Sequence, residues 1–212
     1  IGADDESATA YVLCLDSINF GSGYFPYLVA EGWHAIDGGI YYSLSTRLKR
    51  WFETHSPLTP EHIAAITLEE CGAMLELSPD SGAYSREFLD IGAASLRDLG
   101  RIILRDHGGS FMNMIDQAAG SSEKMLRALL RVPHFNDVHE YRGLPIPFYK
   151  RAQITVADLH LAFKRRGKVL FHDIDRLTMF PDNGVPHVLH LDGILDYTPE
   201  LAQKIADGVE IL

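Results

Sequence analysis

The clearest indication of fold class comes from residues 88–109, FLDIGAASLRDLGRIILRDHGG. Apolar side chains recur there at spacings that place them on one side of a helix, namely Phe88, Leu89, Leu96, Leu99 and Ile103. Gly108-Gly109 follows the series, as expected where a helix ends. The middle of the chain is therefore predicted to be rich in helix.

Further helices are indicated on both sides of this stretch. Hydroxyl residues precede proline or acidic residues at Thr59, Thr67 and Thr198, which is the pattern of a helix N-terminus. Apolar residues also recur at helical spacing in three other segments: Leu44, Leu48, Trp51 and Phe52; Leu126, Leu129 and Leu130; Ala152, Val156, Leu159 and Phe163. Together these patterns predict eight or nine helices.

Strand patterns are confined to residues 135–148, where Tyr141-Arg142-Gly143-Leu144 is typical of a turn between two short extended pieces. The 212 residues contain no internal repeat and no Gly/Ser/Pro-rich linker. We therefore predict one mostly α-helical domain over residues 1–212, with a minor β-hairpin near 135–148.

Charge and composition limit the classes of partner. The chain carries 19 basic and 29 acidic residues, a net charge of −10, and a surface of this sign repels a polyanion. No apolar run approaches the roughly 20 residues of a spanning helix, and no basic-then-apolar signal segment is visible. The two cysteines, Cys14 and Cys71, show no CxxC pattern. We expect a cytoplasmic protein with no stable nucleic-acid partner and no membrane partner.

The segment Phe148-Tyr149-Lys150-Arg151-Ala152-Gln153 places two adjacent cations at the start of a predicted helix. Arg151 and Asp158 are seven residues apart, so they share a face of that helix and could form a side-chain relay. The alternative is a solvated first turn, because exposed Lys and Arg are common near helix ends.

Asp182 follows an apolar stretch and a proline and precedes Asn183-Gly184, so the backbone is expected to turn sharply at this carboxylate. Such a site can raise a carboxyl pKa or direct the carboxylate at a developing cation. The alternative is an Asx turn, in which Asp182 hydrogen-bonds to its own loop.

Metal chemistry has weaker support. His172-Asp173, with His187, His190 and Asp192, is compatible with an HD-type phosphohydrolase, but the two later histidines could equally be a buried pair or surface residues. The chain contains no GxSxG, GxGxxG or GxxxxGK[ST] motif. Catalytic triads, dinucleotide folds and P-loops are therefore not supported.

Several strings, in order, resemble one family, the queuosine salvage proteins, which are queuosine 5′-phosphate N-glycosylases that release the base queuine. The strings are Leu15-Asp16-Ser17-Ile18-Asn19-Phe20, Tyr42-Ser43-Leu44, Gly109-Ser110-Phe111-Met112-Asn113, residues 148–158, Leu177-Thr178-Met179-Phe180-Pro181-Asp182 and Val185-Pro186. The chain departs from the family pattern in three places. The family's Ala-Asp-Tyr-Arg is Pro181-Asp182-Asn183-Gly184 here, and its Asp-Leu-Trp is Asp158-Leu159-His160. Gly21-Ser22-Gly23-Tyr24 replaces the aromatic pair that follows Asn-Phe in the family.

The resemblance implies a helical fold related to the DNA-glycosylase (helix-hairpin-helix) superfamily and no metal or organic cofactor. It also implies a small-molecule substrate, queuosine 5′-monophosphate, with Lys150 and Asp182 at the family's catalytic positions. The expected substrate-binding residues are Asp16, Asn19, Phe20, Ser43, Arg151 and Asp158. For Asp16 the alternative is a helix-end cap, and for Phe20 it is a ring in the core. Relative to the family, the chain is short at both ends.

Three other functions remain open from the sequence. These are a DNA or RNA base glycosylase, an HD-type metal phosphohydrolase, and a non-catalytic module that binds queuine. The oligomeric state is also left open.

Overall fold

A computed structural model describes residues 4–36, 39–55 and 57–209. These residues form eleven α-helices, two short 3₁₀ helices and one pair of strands, which confirms the mostly α-helical prediction. The helices are α1 (Asp5–Ile18), α2 (Phe25–Ala30), α3 (Ile40–Thr54), α4 (Pro60–Ala65), α5 (Leu68–Leu75), α6 (Ala83–Asp106), α7 (Phe111–Ala118), α8 (Ser122–Leu129), α9 (Lys150–Lys164), α10 (Gly184–Leu191) and α11 (Pro199–Ala206). The prediction of eight or nine was too low because a six-residue helix such as α2 is too short to show a period; α4 has the same length but was predicted from its Thr59 cap.

The described residues divide into two compact units. One unit ends at Thr178 and contains α1 to α9, both strands and both 3₁₀ helices (Pro133–Phe135 and Ile174–Arg176). The other begins at Met179 and contains α10 and α11. Each unit is described by itself below.

Helix α6 lies at the centre of the first unit. The five residues of its apolar series are each 0% exposed, and the helix contacts α1, α2, α4 and α5. The two backbones come close at Gly100, where an added Cβ would lie 2.5 Å from the backbone nitrogen of Ala64 on α4. The absence of a side chain at Gly100 lets the two helix backbones approach.

The three predicted hydroxyl caps are confirmed. The side chains of Thr59, Thr67 and Thr198 accept hydrogen bonds from backbone N–H groups at the starts of α4, α5 and α11. At α5 the Glu70 carboxylate also accepts from the Thr67 N–H at 3.0 Å, which completes a capping box.

The predicted hairpin is confirmed as well. Strands β1 (Val138–Tyr141) and β2 (Leu144–Pro147) pair antiparallel, with Tyr141 opposite Leu144. Arg142 and Gly143 both have positive φ, as a tight two-residue hairpin loop requires. The Phe148 N–H donates to the Asp137 carbonyl at 2.9 Å and closes the base of the hairpin. Helix α9 begins two residues later, at Lys150.

The two cysteines, Cys14 and Cys71, are buried and unpaired. Burial raises the pKa of both thiols, that of Cys71 to about 12, so neither is a thiolate at neutral pH. In the part of the chain that the structure describes, no helix has the length and apolar character needed to cross a membrane.

Candidate active site

Asp16 is a buried carboxyl in the last turn of α1, with 1% of its surface exposed. Burial and the charge of Asp158 raise its pKa well above the ordinary value. Hydrogen bonding to Thr155 and Asn19 and the charge of Lys150 act in the opposite direction. Within the described residues, the Asp16 Oδ2 atom has no hydrogen-bond partner. Asp16 is therefore not a helix-end cap, and its Oδ2 atom keeps unused hydrogen-bonding capacity.

Two phenols and a second carboxyl surround Asp16. Burial raises the pKa of Asp158 on α9, and Arg165 lowers it. Burial also raises the pKa values of Tyr11 and Tyr41, and the charges of Asp16 and Asp158 add to both shifts. We call Asp16, Asp158, Tyr11 and Tyr41 the carboxyl–phenol cluster. A group of acids in a partly dry environment favours a cationic ligand.

Arg151 connects α9 to the rest of the first unit. Its guanidinium donates to the carbonyl of Ser17 at 3.1 Å and to the carbonyl of His134. It also lies over the rings of Phe20, at 5.6 Å, and Phe135, at 5.7 Å. Arg151 is therefore not part of a solvated first turn, and its described hydrogen bonds go to backbone carbonyls.

Lys150 is the first residue of α9 and follows Tyr149, which has φ of 50°. Its backbone N–H donates to the Asp137 carboxylate at 3.1 Å. The Lys150 ammonium lowers the pKa of Asp16, so these two predicted site residues are electrostatically coupled. Beside the start of α9 lies a cavity of about 350 Å³, lined in part by Tyr149 and Gln153.

The remaining predicted residues of the first unit have different surroundings. Asn19 donates its amide N–H to Asp16 at 3.5 Å, and the Phe20 ring packs 5.0 Å from that of Phe88. Ser43 is fully buried; its hydroxyl accepts from the Ile36 N–H at 2.9 Å and lies 2.9 Å from the Gly39 carbonyl. The structure therefore brings Asn19 to Asp16, whereas the Ser43 hydroxyl is bonded to backbone groups.

Asp182 belongs to the second unit and precedes α10. Its Oδ1 accepts from the Gly184 N–H at 3.0 Å, which is the Asx turn considered above as the alternative for this residue. Asp182 also lines a cavity of about 360 Å³ whose other walls are mainly aliphatic, including Val185, Val188 and Leu189. The turn thus fixes a half-exposed carboxylate at the rim of an apolar cavity.

Asp173, considered above as part of a metal cluster, caps a helix. Its carboxylate accepts from the Ser122 N–H at 2.5 Å and from the Ser121 hydroxyl at 3.0 Å, at the start of α8. Hydrogen bonding to Ser122 lowers the pKa of Asp173 to about 2. Among residues 4–36, 39–55 and 57–209, no three His, Cys, Asp or Glu side chains are grouped as metal ligands would be.

Comparison with known proteins identifies the family. Residues 2–212 match the family model described as queuosine salvage protein. The chain belongs to this family. Among curated members, each named queuosine 5′-phosphate N-glycosylase/hydrolase, the Sphaerobacter thermophilus protein is 36% identical, with 97% of this chain and 62% of that protein covered. The Bos taurus protein is 32% identical, covering 96% of this chain and 60% of that protein.

The chain spans about three fifths of the length of these queuosine salvage relatives. The Mus musculus protein gives the same proportion, with 30% identity over 98% of this chain and 62% of its own length. The match to the family thus confirms the resemblance found in the sequence.

Three residues of the candidate site were not predicted from the sequence: Thr155, Tyr11 and Tyr41. Thr155 could have been found, because it lies four residues after Arg151 and three before Asp158 on one face of α9. No spacing rule connects Tyr41 on α3 to α1.

His160 occupies the position where the family has Trp. Its buried ring stacks on that of Phe171, with ring centroids 6.2 Å apart.

Proposed function

We propose that this protein hydrolyses the N-glycosidic bond of queuosine 5′-monophosphate and releases queuine for salvage. Water adds to the ribose C1′, the bond from C1′ to the base breaks, and the base takes up a proton, giving queuine and ribose 5-phosphate. The observation that carries the proposal is the family match over residues 2–212, together with the names of the relatives.

The carboxyl–phenol cluster supports the choice of substrate. Queuine carries an amine-linked cyclopentenediol that is cationic near neutral pH, and its deazaguanine face is flat and apolar. In our proposal Asp16 binds the amine through its unpaired oxygen, Asn19 hydrogen-bonds an edge of the base, and Phe20 supplies an apolar ring. Asp158 contributes a second carboxyl beside Asp16, and Arg151 holds α9 against α1.

The roles of Asp182 and Lys150 in this proposal follow from the charge that develops during the reaction. Breaking this bond builds positive charge on the ribose, and a carboxylate stabilises that charge. Queuine is a 7-deazaguanine, so the ring atom that ordinary purine hydrolases protonate is a carbon, and more of the barrier falls on the ribose side. We assign the carboxylate to Asp182 and a supporting ammonium to Lys150, with no metal or organic cofactor.

We also propose that the helical fold is related to the DNA-glycosylase (helix-hairpin-helix) superfamily. Helices α7 and α8, joined by Ala119-Gly120-Ser121, form a helical hairpin that supports this relation. The compartment proposed for the protein is the cytoplasm, and its substrate is a free mononucleotide rather than a nucleic acid, in keeping with the net charge of −10.

One assay tests the function. The chain is incubated with queuosine 5′-monophosphate, and free queuine is followed by mass spectrometry, in parallel with Asp182→Asn and Lys150→Met. Each substitution is expected to lower turnover by roughly 100-fold or more, since removing one group that stabilises transition-state charge costs about 2.7–4 kcal/mol. Asp192→Asn, an exposed aspartate of the same unit as Asp182, is the control and should retain activity.

Three outcomes would contradict the proposal. Stoichiometric binding of the nucleotide without base release would indicate a binding module. Turnover abolished by chelator and restored by a divalent ion would indicate a metal hydrolase. Strong affinity for a polynucleotide that falls steeply with salt would indicate a DNA or RNA glycosylase.

A further inference from the structure

A second candidate site lies on the first unit, where α6 ends and α7 and α8 pack together. Here a groove of about 320 Å³ is lined by Lys124, Arg127, Arg131, His107, Gln117 and Met114, among others. We call it the basic groove. None of its lining residues belongs to the carboxyl–phenol cluster.

Positive charge is concentrated in the basic groove although the chain carries a net charge of −10. Arg127 pairs with Glu123 at 2.9 Å, and Arg131 pairs with Asp106 at 3.2 Å. The Lys124 side chain has no ion pair within the described residues. Asp106 is shared with a further cation, since Arg105 donates two hydrogen bonds to it. The carboxylates at this site therefore leave positive charge uncompensated.

A buried ring nitrogen at the same place lacks a partner. His107 is 5% exposed, and its Nδ1 lies 2.7 Å from the Oε1 of Gln117, to which the tautomer protonated at Nδ1 donates. Its Nε2 is buried with no hydrogen-bond partner in the described part of the chain. Most buried polar atoms of native proteins are hydrogen-bonded, so this nitrogen is a group that a bound molecule would satisfy.

We propose that the basic groove binds a phosphate monoester with a small apolar body. The three cations suit a phosphate group, to which Lys and Arg make strong charge-assisted hydrogen bonds. When the phosphate binds as its monoanion, its O–H group would donate to Nε2 of His107 and satisfy the orphan atom. The rest of the wall is apolar, formed by Met114, Ala118 and Ala128, and accepts the organic part of the ligand. The volume matches the lower end of small-molecule sites.

Phenyl phosphate is the probe, and isothermal titration calorimetry is the measurement. We expect saturable 1:1 binding to the full chain and at least about tenfold weaker affinity in Lys124→Gln/Arg127→Gln, since each charge-assisted hydrogen bond is worth about one order of magnitude. Both side chains are exposed, so the double variant should keep the unfolding midpoint of the wild type. His107→Asn keeps a donor toward Gln117 but removes Nε2, and it should weaken binding as well.

The matched control is Lys49→Gln/Arg101→Gln, which removes the same charges from exposed positions paired along their own helices. It should change the affinity for phenyl phosphate less than twofold. Phenol should not bind, and inorganic phosphate should bind more weakly than phenyl phosphate. The proposal is overturned if no saturable binding occurs, if the control loses as much affinity as the groove variant, or if phenol or inorganic phosphate binds as tightly.

Release of queuine from queuosine 5′-monophosphate serves as a second readout. The groove variant is expected to keep the wild-type rate, because the basic groove shares no residue with the carboxyl–phenol cluster. A groove variant that loses turnover but keeps phenyl phosphate binding would overturn the inference of a separate site. Wild-type protein that binds phenyl phosphate without releasing queuine would contradict only the proposed function.

Discussion

Burial and the charge of Asp158 on α9 together raise the pKa of the Asp16 carboxyl on α1. These two helices pack directly on each other, so the repulsion between the two acids is built into a helix contact of the core. A buried, incompletely bonded carboxyl lowers the stability of the fold, which is the usual consequence of a site shaped for a ligand.

Replacing Asp16 with asparagine should stabilise the protein near neutral pH. An acid whose pKa is raised by folding favours the folded state at low pH, and that contribution is lost as pH rises from the ordinary value of 3.8 through the raised pKa. Asp16→Asn removes the titration. The urea midpoint of the variant should therefore exceed that of the wild type at pH 7, and the gain should vanish at low pH.

Asp90→Asn, at an exposed position of α6, is the control and should leave the midpoint unchanged at both pH values. Under the proposed function, Asp16→Asn should also raise the KM for queuosine 5′-monophosphate. A variant that is less stable than the wild type at pH 7 would show that the Asp16 charge is well compensated in the fold.

Two glycines on α6 should respond in opposite ways to alanine. At Gly100 a Cβ would lie 2.5 Å from the Ala64 nitrogen and 2.6 Å from the Pro60 carbonyl oxygen. Both are backbone atoms, which cannot shift without moving the chain around them. Gly100→Ala is therefore expected to destabilise the fold by about 1–3 kcal/mol. Urea unfolding of the purified variant measures this change.

Gly92→Ala provides the matched comparison. Its Cβ would meet the Cys71 sulfur at 3.7 Å and the Ile18 side chain at 3.8 Å, which is ordinary contact. Because alanine is a better helix former than glycine, this variant should gain roughly 0.5–1 kcal/mol. Equal effects at the two positions would show that the α4–α6 approach at Gly100 is looser than described.

Much of the fold could be predicted from sequence because it follows from local rules. The apolar series of α6, the hydroxyl caps and the hairpin turn each depend on residues a few positions apart. The close approach of α4 to α6 could not be predicted in this way, since nothing in a single sequence connects Gly100 to Ala64. Short helices such as α2 were not predicted, because six residues are too few to show a helical period.

The candidate site, like the fold, could be predicted from the sequence only in part. The family resemblance supplied Asp16, Asn19 and Lys150, and the structure couples them through hydrogen bonding and charge. It could not supply Tyr41, which lies on a separate helix. Asp173 was considered as a metal ligand, because an His-Asp doublet does not reveal that its carboxylate caps a helix some fifty residues earlier.

Removing the Asp173 carboxylate should weaken the fold in a pH-dependent way. Hydrogen bonds from Ser122 and Ser121 lower its pKa to about 2, so its contribution is present above the ordinary value of 3.8 and is lost as pH falls toward 2. Asp173→Asn should therefore lower the thermal midpoint at pH 7 and have little effect near pH 2. The exposed neighbour Asp175, changed to asparagine, should leave the midpoint unaltered; a pH-independent loss at Asp173 would argue against the cap.

Arg151→Lys should cost stability although the charge is conserved. The planar guanidinium reaches the Ser17 and His134 carbonyls at once and lies over Phe20 and Phe135, whereas an ammonium has no such fork. We expect a loss of about 2 kcal/mol, because hydrogen bonds from a charged donor are worth roughly 1.5–3 kcal/mol each.

The same exchange at Arg101, which is 63% exposed, is the control for Arg151→Lys and should change stability by less than about 0.5 kcal/mol. Because Arg151 joins α9 to the end of α1, the lysine variant should also loosen the position of Asp158 relative to Asp16. Under the proposed function its KM for queuosine 5′-monophosphate should rise more than its kcat falls. A variant as stable as the wild type would mean that the two carbonyls are solvated equally well without the guanidinium, and that Arg151 does not hold the two helices together.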